Sequence, residues 1–240
     1  PKEDYMKTLW RNMLQNQVVN PHPFQYIIHP RNVCSGNKVY LLIYVHSAPQ
    51  NHRRRSIIRN TWGNPSNVPE LPIKVLFFIG VVPLKSLWQE ALLFESERYH
   101  DIVQENFVDS YRNLTYKAIS ALKYINENCK NVPYVLKTDD DVFVNTFSLI
   151  RYLESLSRYT EMFPNLKHIP QNETLKCLLW SKMRVVRDMR SKWFVSWEEW
   201  SDLFFPPYCS GAAFITTGST AAAMFNASRY TPFFWIDDLY

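Results

Sequence analysis

The stretch Tyr134–Asn145 reads Tyr-Val-Leu-Lys-Thr-Asp-Asp-Asp-Val-Phe-Val-Asn. An apolar run delivers three consecutive carboxylates, Asp139, Asp140 and Asp141, and then turns apolar again. The pattern predicts a strand over Tyr134–Thr138 that ends in acids at a sheet edge. Residues two apart leave a strand end on the same side. Asp139 and Asp141 therefore face one way, with hard oxygens suited to Mg²⁺ or Mn²⁺. Three adjacent like charges repel, so a capping or turn role alone accounts poorly for them without a cation.

Working outward, strand and helix signals alternate. Lys38–Ser47 and Ile73–Gly80 are continuous apolar runs of the buried, parallel kind. Asn51–Trp62 predicts a helix stopped by Gly63 and Pro65. Ser86–Tyr99 predicts a helix with Leu87, Trp88, Ala91, Leu92 and Phe94 as its apolar face. Asp101–Gln104 is a short strand. Ser110–Asn128 is a helix with Asp109 or Ser110 as its cap. A further helix runs from Thr146 to about Leu156, Ser157–Leu175 is loop-like, Ala212–Thr217 is a strand and Gly218–Ser228 a helix. Residues 1–37 are polar, punctuated by proline and without sustained periodicity, and are read as a stem or lead-in. Residues 38–240 form the domain proper. Alternation of this kind implies an α/β sandwich with a mostly parallel sheet. Ligands in such sheets bind past the carboxyl ends of the strands at a topological switch point.

Composition narrows the chemistry. The five glycines (Gly36, Gly63, Gly80, Gly211, Gly218) fit neither a G-x-G-x-x-G fingerprint nor a P-loop. A phosphate must then be held by a metal and by Arg or Lys. The net charge of +5 is mild, with one dense cluster, Arg53-Arg54-Arg55, and Arg59 behind it. No basic stripe or nucleic-acid motif is present. Cys34, Cys129, Cys177 and Cys209 contain no C-x-x-C pair. An even cysteine count with three sequons, at Asn113, Asn172 and Asn226, points to disulfides and the secretory route.

Two rival readings of the acid cluster fail or lack support. An EF-hand loop starting at Asp139 requires Gly and Glu where Val144 and Ile150 stand. A phosphatase of the haloacid-dehalogenase type has Thr or Val where Phe143 stands. The remaining reading is the D-x-D site of a nucleotide-sugar glycosyltransferase, where a cation bridges carboxylates to the diphosphate. The dense aromatics near Trp193, Trp197, Trp200, Phe204 and Phe205 are core, with the alternative that some stack on a sugar ring.

Four blocks in order resemble the inverting β-1,3-glycosyltransferases, the galactosyl and N-acetylglucosaminyl transferases. They are Arg54-Arg55-Ser-Ile-Ile-Arg59-Asn-Thr-Trp62-Gly63, the Glu97–Lys117 segment, Lys137–Asn145, and Pro206–Gly211 with Asp237-Asp238-Leu239-Tyr240. The resemblance implies a GT-A-type Rossmann-like fold, a UDP-sugar donor, Mn²⁺ and a β1,3-linked product on a glycoprotein or glycolipid acceptor. Short motifs near Trp193 and Tyr208 resemble galactosyl members more, with N-acetylglucosaminyl transfer or a catalytically silent sugar-binding relative as alternatives.

Carried over by position, Asp141 and Asp139 become metal ligands. Arg55, Arg59, Lys137, Asp139 and Asp140 meet the UDP moiety, and Trp193, Tyr208 and Gly211 form the acceptor or sugar pocket. Arg55 and Arg59 have ion pairing at the sheet edge as their alternative. Asp238, or its neighbour Asp237, becomes the base that takes the proton of the acceptor hydroxyl. The family continues past its last motif and there supplies a His to the metal. No histidine of this chain matches it, so the domain is expected to be truncated after Tyr240. The resemblance also implies a Golgi membrane protein of type II, with a lumenal catalytic domain and an anchor that this sequence lacks.

Overall fold

A computed structural model describes residues 2–35, 39–82, 87–162 and 175–240. Its centre is a seven-stranded sheet in the order β1-β4-β3-β2-β5-β7-β6. These strands are β1 (Tyr26–Ile28), β2 (Leu41–His46), β3 (Ile73–Val81), β4 (Ile102–Val108), β5 (Tyr134–Asp139), β6 (Lys176–Trp180) and β7 (Tyr208–Thr216). Strands β4, β3, β2 and β5 pair in parallel, while β1 and β7 run against their neighbours. Because β6 is antiparallel to β7, five of the seven strands point one way.

The helices are α1 (Lys2–Leu14), α2 (His52–Asn60), α3 (Leu87–Tyr99), α4 (Leu114–Asn128), α5 (Thr146–Met162) and α6 (Gly218–Ser228). Strand β2 shows why the sheet sits at the centre: all six of its residues are buried. Leu41, Ile43 and Val45 pack with Ile58 of α2, Trp62 just after that helix, Leu92 of α3 and Leu153 of α5. Leu42 and Tyr44 point the other way, against Ala121, Leu122 and Ile125 of α4 and Ala221 of α6. A strand buried on both faces must be apolar at every position, which is why its sequence shows no alternation.

Connection order creates the switch point. Helices α2 and α3 carry the chain from β2 outward to β3 and β4 on one side. Helix α4 then carries it back across the other face to β5, on the far side of β2. The carboxyl ends of β2 and β5 therefore lie side by side where the winding reverses, with His46 in register with Asp139.

Several expectations require correction. The lead-in segment contributes α1 and β1, and β1 extends the sheet beside β4. It is also tied in by the Cys34–Cys129 disulfide and by His22, which meets the buried Glu105 carboxylate at 2.7 Å. Of the α3 residues assigned to an apolar face only Leu92 is buried, while Leu87 and Phe94 are largely exposed. Its inward surface instead carries Glu95, which pairs with arginines of α2. Neither Asp109 nor Ser110 caps α4. A 3-10 turn over Tyr111–Asn113 precedes that helix, and Ser110 makes no capping bond. Asp109 instead accepts from the Gly80 N–H at 2.7 Å and from Lys117 at 2.9 Å. Helix α5 runs on into the stretch read as a loop. Strand β6 was missed, and Cys177 within it joins Cys209 of β7 as a disulfide.

Candidate active site

A cavity of about 890 Å³ opens at the switch point. Its floor is the ends of β2 and β5, and one wall is the segment Trp235–Leu239. A small cluster of Val185, Val195, Phe205 and Trp235, with Trp200 and Tyr208 against it, packs this end of the molecule.

The three aspartates separate as strand geometry requires. Asp139 ends β5 and Asp141 follows in the turn, and both line the cavity. Asp139 accepts a hydrogen bond from Lys137 Nζ at 2.8 Å. Burial pushes the Asp139 carboxyl above the usual carboxylate range, and Lys137 opposes that push. Asp141 is 62% exposed, with Arg54 at 3.3 Å. Asp140 also lines the cavity but is buried. It accepts from Ser47 Oγ, Asn51 Nδ2 and Arg54 NH1, each at 2.8 Å. Three protein donors occupy Asp140, so its evident task is to tie the turn after β5 to the start of α2.

Arg55 and Arg59 take the ion-paired alternative. Arg55 is fully buried and donates to both oxygens of Glu95, at 2.8 and 2.7 Å. Its remaining donors reach Ser47 Oγ and the carbonyls of Ala48 and Pro49. Arg59 makes a bidentate pair with Asp101 at 2.7 and 2.8 Å and stacks over Tyr99. Neither lines the cavity; the arginine of this cluster that does is Arg54.

On the facing side, Asp238 rests on Gly211. A β-carbon added at Gly211 would stand 1.7 Å from Asp238 Oδ1, so only glycine leaves room for this carboxylate. The Gly211 N–H donates to it. Burial, then the neighbouring charge of Asp237, pushes the Asp238 carboxyl up from 3.8 to about 6. A carboxylate titrating near there is poised as a proton acceptor at neutral pH. Lys137 lies between the two sides, donating to Asp139 and to the Gly211 carbonyl. Trp193, half exposed, and Tyr208 line the same cavity.

Sequence reasoning missed His46. Its ring is buried, and neither nitrogen has a hydrogen-bond partner. Its Nδ1 lies 3.9 Å from Asp139 and 3.8 Å from Asp237. Burial, with Lys137 and Lys117 nearby, holds it well below the usual histidine range, and hence neutral. The available signal was a histidine at the end of a buried strand in register with the acids.

Among the described residues no group of three His, Cys, Asp or Glu side chains converges to hold a metal ion. Asp139 and Asp141 offer two hard-oxygen donors to the cavity. Two carboxylates fit a cation that takes its other oxygens from a phosphate ligand and water.

The chain that carries these acids matches a known family. The galactosyltransferase family model covers residues 53–240. The chain belongs to that family. It is 34% identical over 233 residues to rat lactosylceramide 1,3-N-acetyl-beta-D-glucosaminyltransferase, covering 95% of this chain and 59% of the relative. It is 31% identical over 229 residues to mouse and human beta-1,3-galactosyltransferase 1, covering 95% of this chain and 66% of each relative. The chain thus spans about three-fifths to two-thirds of the length of these relatives. The α/β architecture described above is that of a GT-A-like glycosyltransferase fold, and Asp139, Asp141, Asp237 and Asp238 of this chain line one cavity. Asn226 is exposed on α6 and the Asn113 amide donates to the Val108 carbonyl at 2.8 Å. Asn172 lies outside the described residues.

Proposed function

We propose that the chain carries the core of an inverting, UDP-hexose-dependent β1,3-glycosyltransferase that moves galactose from UDP-galactose to the 3-hydroxyl of an acceptor glycan. The observation that carries this reading is the convergence of carboxylates of two kinds on one cavity. Asp139 and Asp141 come from the end of β5 and the turn after it, and Asp238, pushed up to about 6, comes from the segment resting on Gly211.

Asp139 and Asp141 hold the diphosphate end of the donor through a shared divalent cation, with Mn²⁺ as the candidate. Bound there, such a cation would offset the charge that develops on the departing diphosphate. Asp238 takes the proton of the acceptor hydroxyl as its oxygen bonds to C1 of the hexose. The bond from C1 to the β-phosphate oxygen breaks, UDP leaves and the anomeric centre inverts. A base must face the donor from the side opposite the leaving group. We assign that place to Asp238, a different carboxylate from the Asp139–Asp141 pair, held on Gly211 of β7. Trp193 and Tyr208 offer flat apolar faces to sugar C–H surfaces.

Transfer of N-acetylglucosamine is the second reading. It is favoured by the 34% identity to the rat transferase named for that sugar. We also place the protein in the Golgi lumen as part of a membrane-anchored type II protein. Two disulfides, Cys34–Cys129 and Cys177–Cys209, support an oxidising compartment. No described helix is long and apolar enough to cross a membrane, so this reading puts the anchor outside the described residues.

The test is a donor panel. Purified protein with Mn²⁺ and a β-galactoside or β-N-acetylglucosaminide acceptor is offered UDP-galactose, UDP-N-acetylglucosamine and UDP-N-acetylgalactosamine. UDP release that depends on Mn²⁺ and is fastest with UDP-galactose is expected. Fastest release with UDP-N-acetylglucosamine selects the second reading. No release with any donor, alongside intact UDP binding, identifies a silent sugar-binding relative.

A further inference from the structure

Lys137 is only 3% exposed, yet it carries an ammonium. A buried ammonium is tolerated where its donors are used and its charge is paired. Its partners lie on two different strands. On its own strand, β5, it donates to Asp139 Oδ1 at 2.8 Å. Across the antiparallel pairing of β5 with β7, it donates to the carbonyl of Gly211.

On the other side of the Gly211 α-carbon, the N–H of the same residue donates to Asp238. Gly211 has no side chain, and none would fit beneath that carboxylate. A continuous path of contacts thus runs Asp139, Lys137, Gly211, Asp238. It joins the acid on the donor side to the acid assigned as base.

We propose that Lys137 is a positioning residue that links the two halves of the site: it braces the Gly211 backbone on which Asp238 rests and supplies the cation that keeps Asp238 ionised. It does this without touching the UDP moiety, in contrast to the donor-binding role that the motif resemblance suggested for it. The proposal rests on the transferase reading for the word "base" alone; the contacts stand without it.

The charges around Asp238 support the assignment. Asp237 on its own turn and Asp139 on β5 push its carboxyl up, and Lys137 pulls it down. Tyr208 on β7 and Tyr111 ahead of α4 face the same acids with neutral phenols, each held above its ordinary value by burial. His46 on β2 is held neutral. Lys137 is therefore the cation that acts most strongly on Asp238, with Lys117, Arg184 and Lys192 elsewhere in the same cavity lining, and its removal leaves Asp237 and Asp139 opposing ionisation.

The experiment compares wild type with Lys137→Gln and Lys137→Arg. Carboxyl ¹³C NMR of protein labelled at aspartate, with the Asp238 resonance assigned through Asp238→Asn, reads the titration without substrate. Calorimetry reads UDP binding with Mn²⁺, and initial rates read transfer. Lys137→Gln is expected to raise the Asp238 midpoint by roughly half a pH unit or more. It should move the acid limb of kcat/KM upward by the same amount and lower kcat about tenfold, leaving the UDP Kd within about threefold of wild type. Lys137→Arg, which keeps the charge, should restore most of the midpoint.

An unmoved Asp238 midpoint in Lys137→Gln overturns the proposal, as does a large loss of UDP affinity with an unmoved midpoint, which would make Lys137 a donor ligand. If Lys137→Gln does not fold, the Lys137→Arg spectrum decides: a midpoint within about 0.3 unit of wild type supports the charge role, and one raised as a carboxylate without a cation would be contradicts it. Absence of transfer in wild type defeats the transferase reading and leaves the NMR result to judge Lys137 separately.

Discussion

At the residue scale the decisive group is Asp238, and its charge makes two signed predictions. Its folded carboxyl is raised from 3.8 to about 6. A raised carboxyl favours the fold fully below the unfolded value, and that contribution is lost as pH rises through the folded one. At pH 7.5 the ionised Asp238 therefore destabilises the fold, by on the order of 2–3 kcal/mol. Asp238→Asn is expected to raise the melting temperature at pH 7.5, with the gain shrinking toward pH 4. A melting temperature that falls at pH 7.5 would contradict the burial argument. The same titration sets the wild-type pH profile. The acid limb of kcat/KM for transfer should bend near pH 6, where Asp238 becomes protonated and cannot accept the hydroxyl proton. The importance of this residue was legible as a late acid pair, but its environment was not. Nothing in the chain around Asp237-Asp238 shows that Gly211 of another strand lies beneath it.

At the element scale, α2 shows what periodicity conveys and what it leaves open. The spacing placed Arg55 and Arg59 one turn apart on one face, and the structure keeps them there. It did not say which face. Arg55 lies inward with Ile58, bound to Glu95 of α3, so the ion-pair alternative holds with an acid that the spacing within α2 cannot name. Long-range pairing between two helices has no local signature. Arg55→Ala should remove one of the two arginines that hold the Glu95 carboxylate, leaving Arg59, and cost on the order of 2–3 kcal/mol, measured by chemical denaturation. UDP affinity of the folded fraction should be unchanged. A loss of UDP affinity at unaltered stability would return Arg55 to the donor site. The buried strands β2, β3 and β5 were legible to within three residues because both faces are covered and most positions are apolar. Strand β6 escaped because most of its residues, including Leu178 and Leu179, are exposed at the sheet edge, where no core pattern is imposed.

At the scale of the whole molecule, the reversal of winding between β2 and β5 explains why the motifs belong together. One crossover direction brings α2 and its Arg54 to the acids. The return through α4 sets β5 beside β2, and β7 then brings Gly211 to face them. The parallel sheet and its ligand-binding edge followed from alternation of strand and helix. The antiparallel flank β7–β6, the docking of β1 and both disulfide pairings depended on contacts between distant segments and were not readable from local pattern. The division of labour across the cavity is the central claim, and UDP binding measured by calorimetry with and without Mn²⁺, beside transfer rates, tests it most directly. Asp141→Ala should abolish the Mn²⁺-dependent part of UDP binding, whereas Asp238→Asn should keep UDP binding and lose transfer by about 10³-fold or more. Equal weakening of UDP binding by the two substitutions would contradict it.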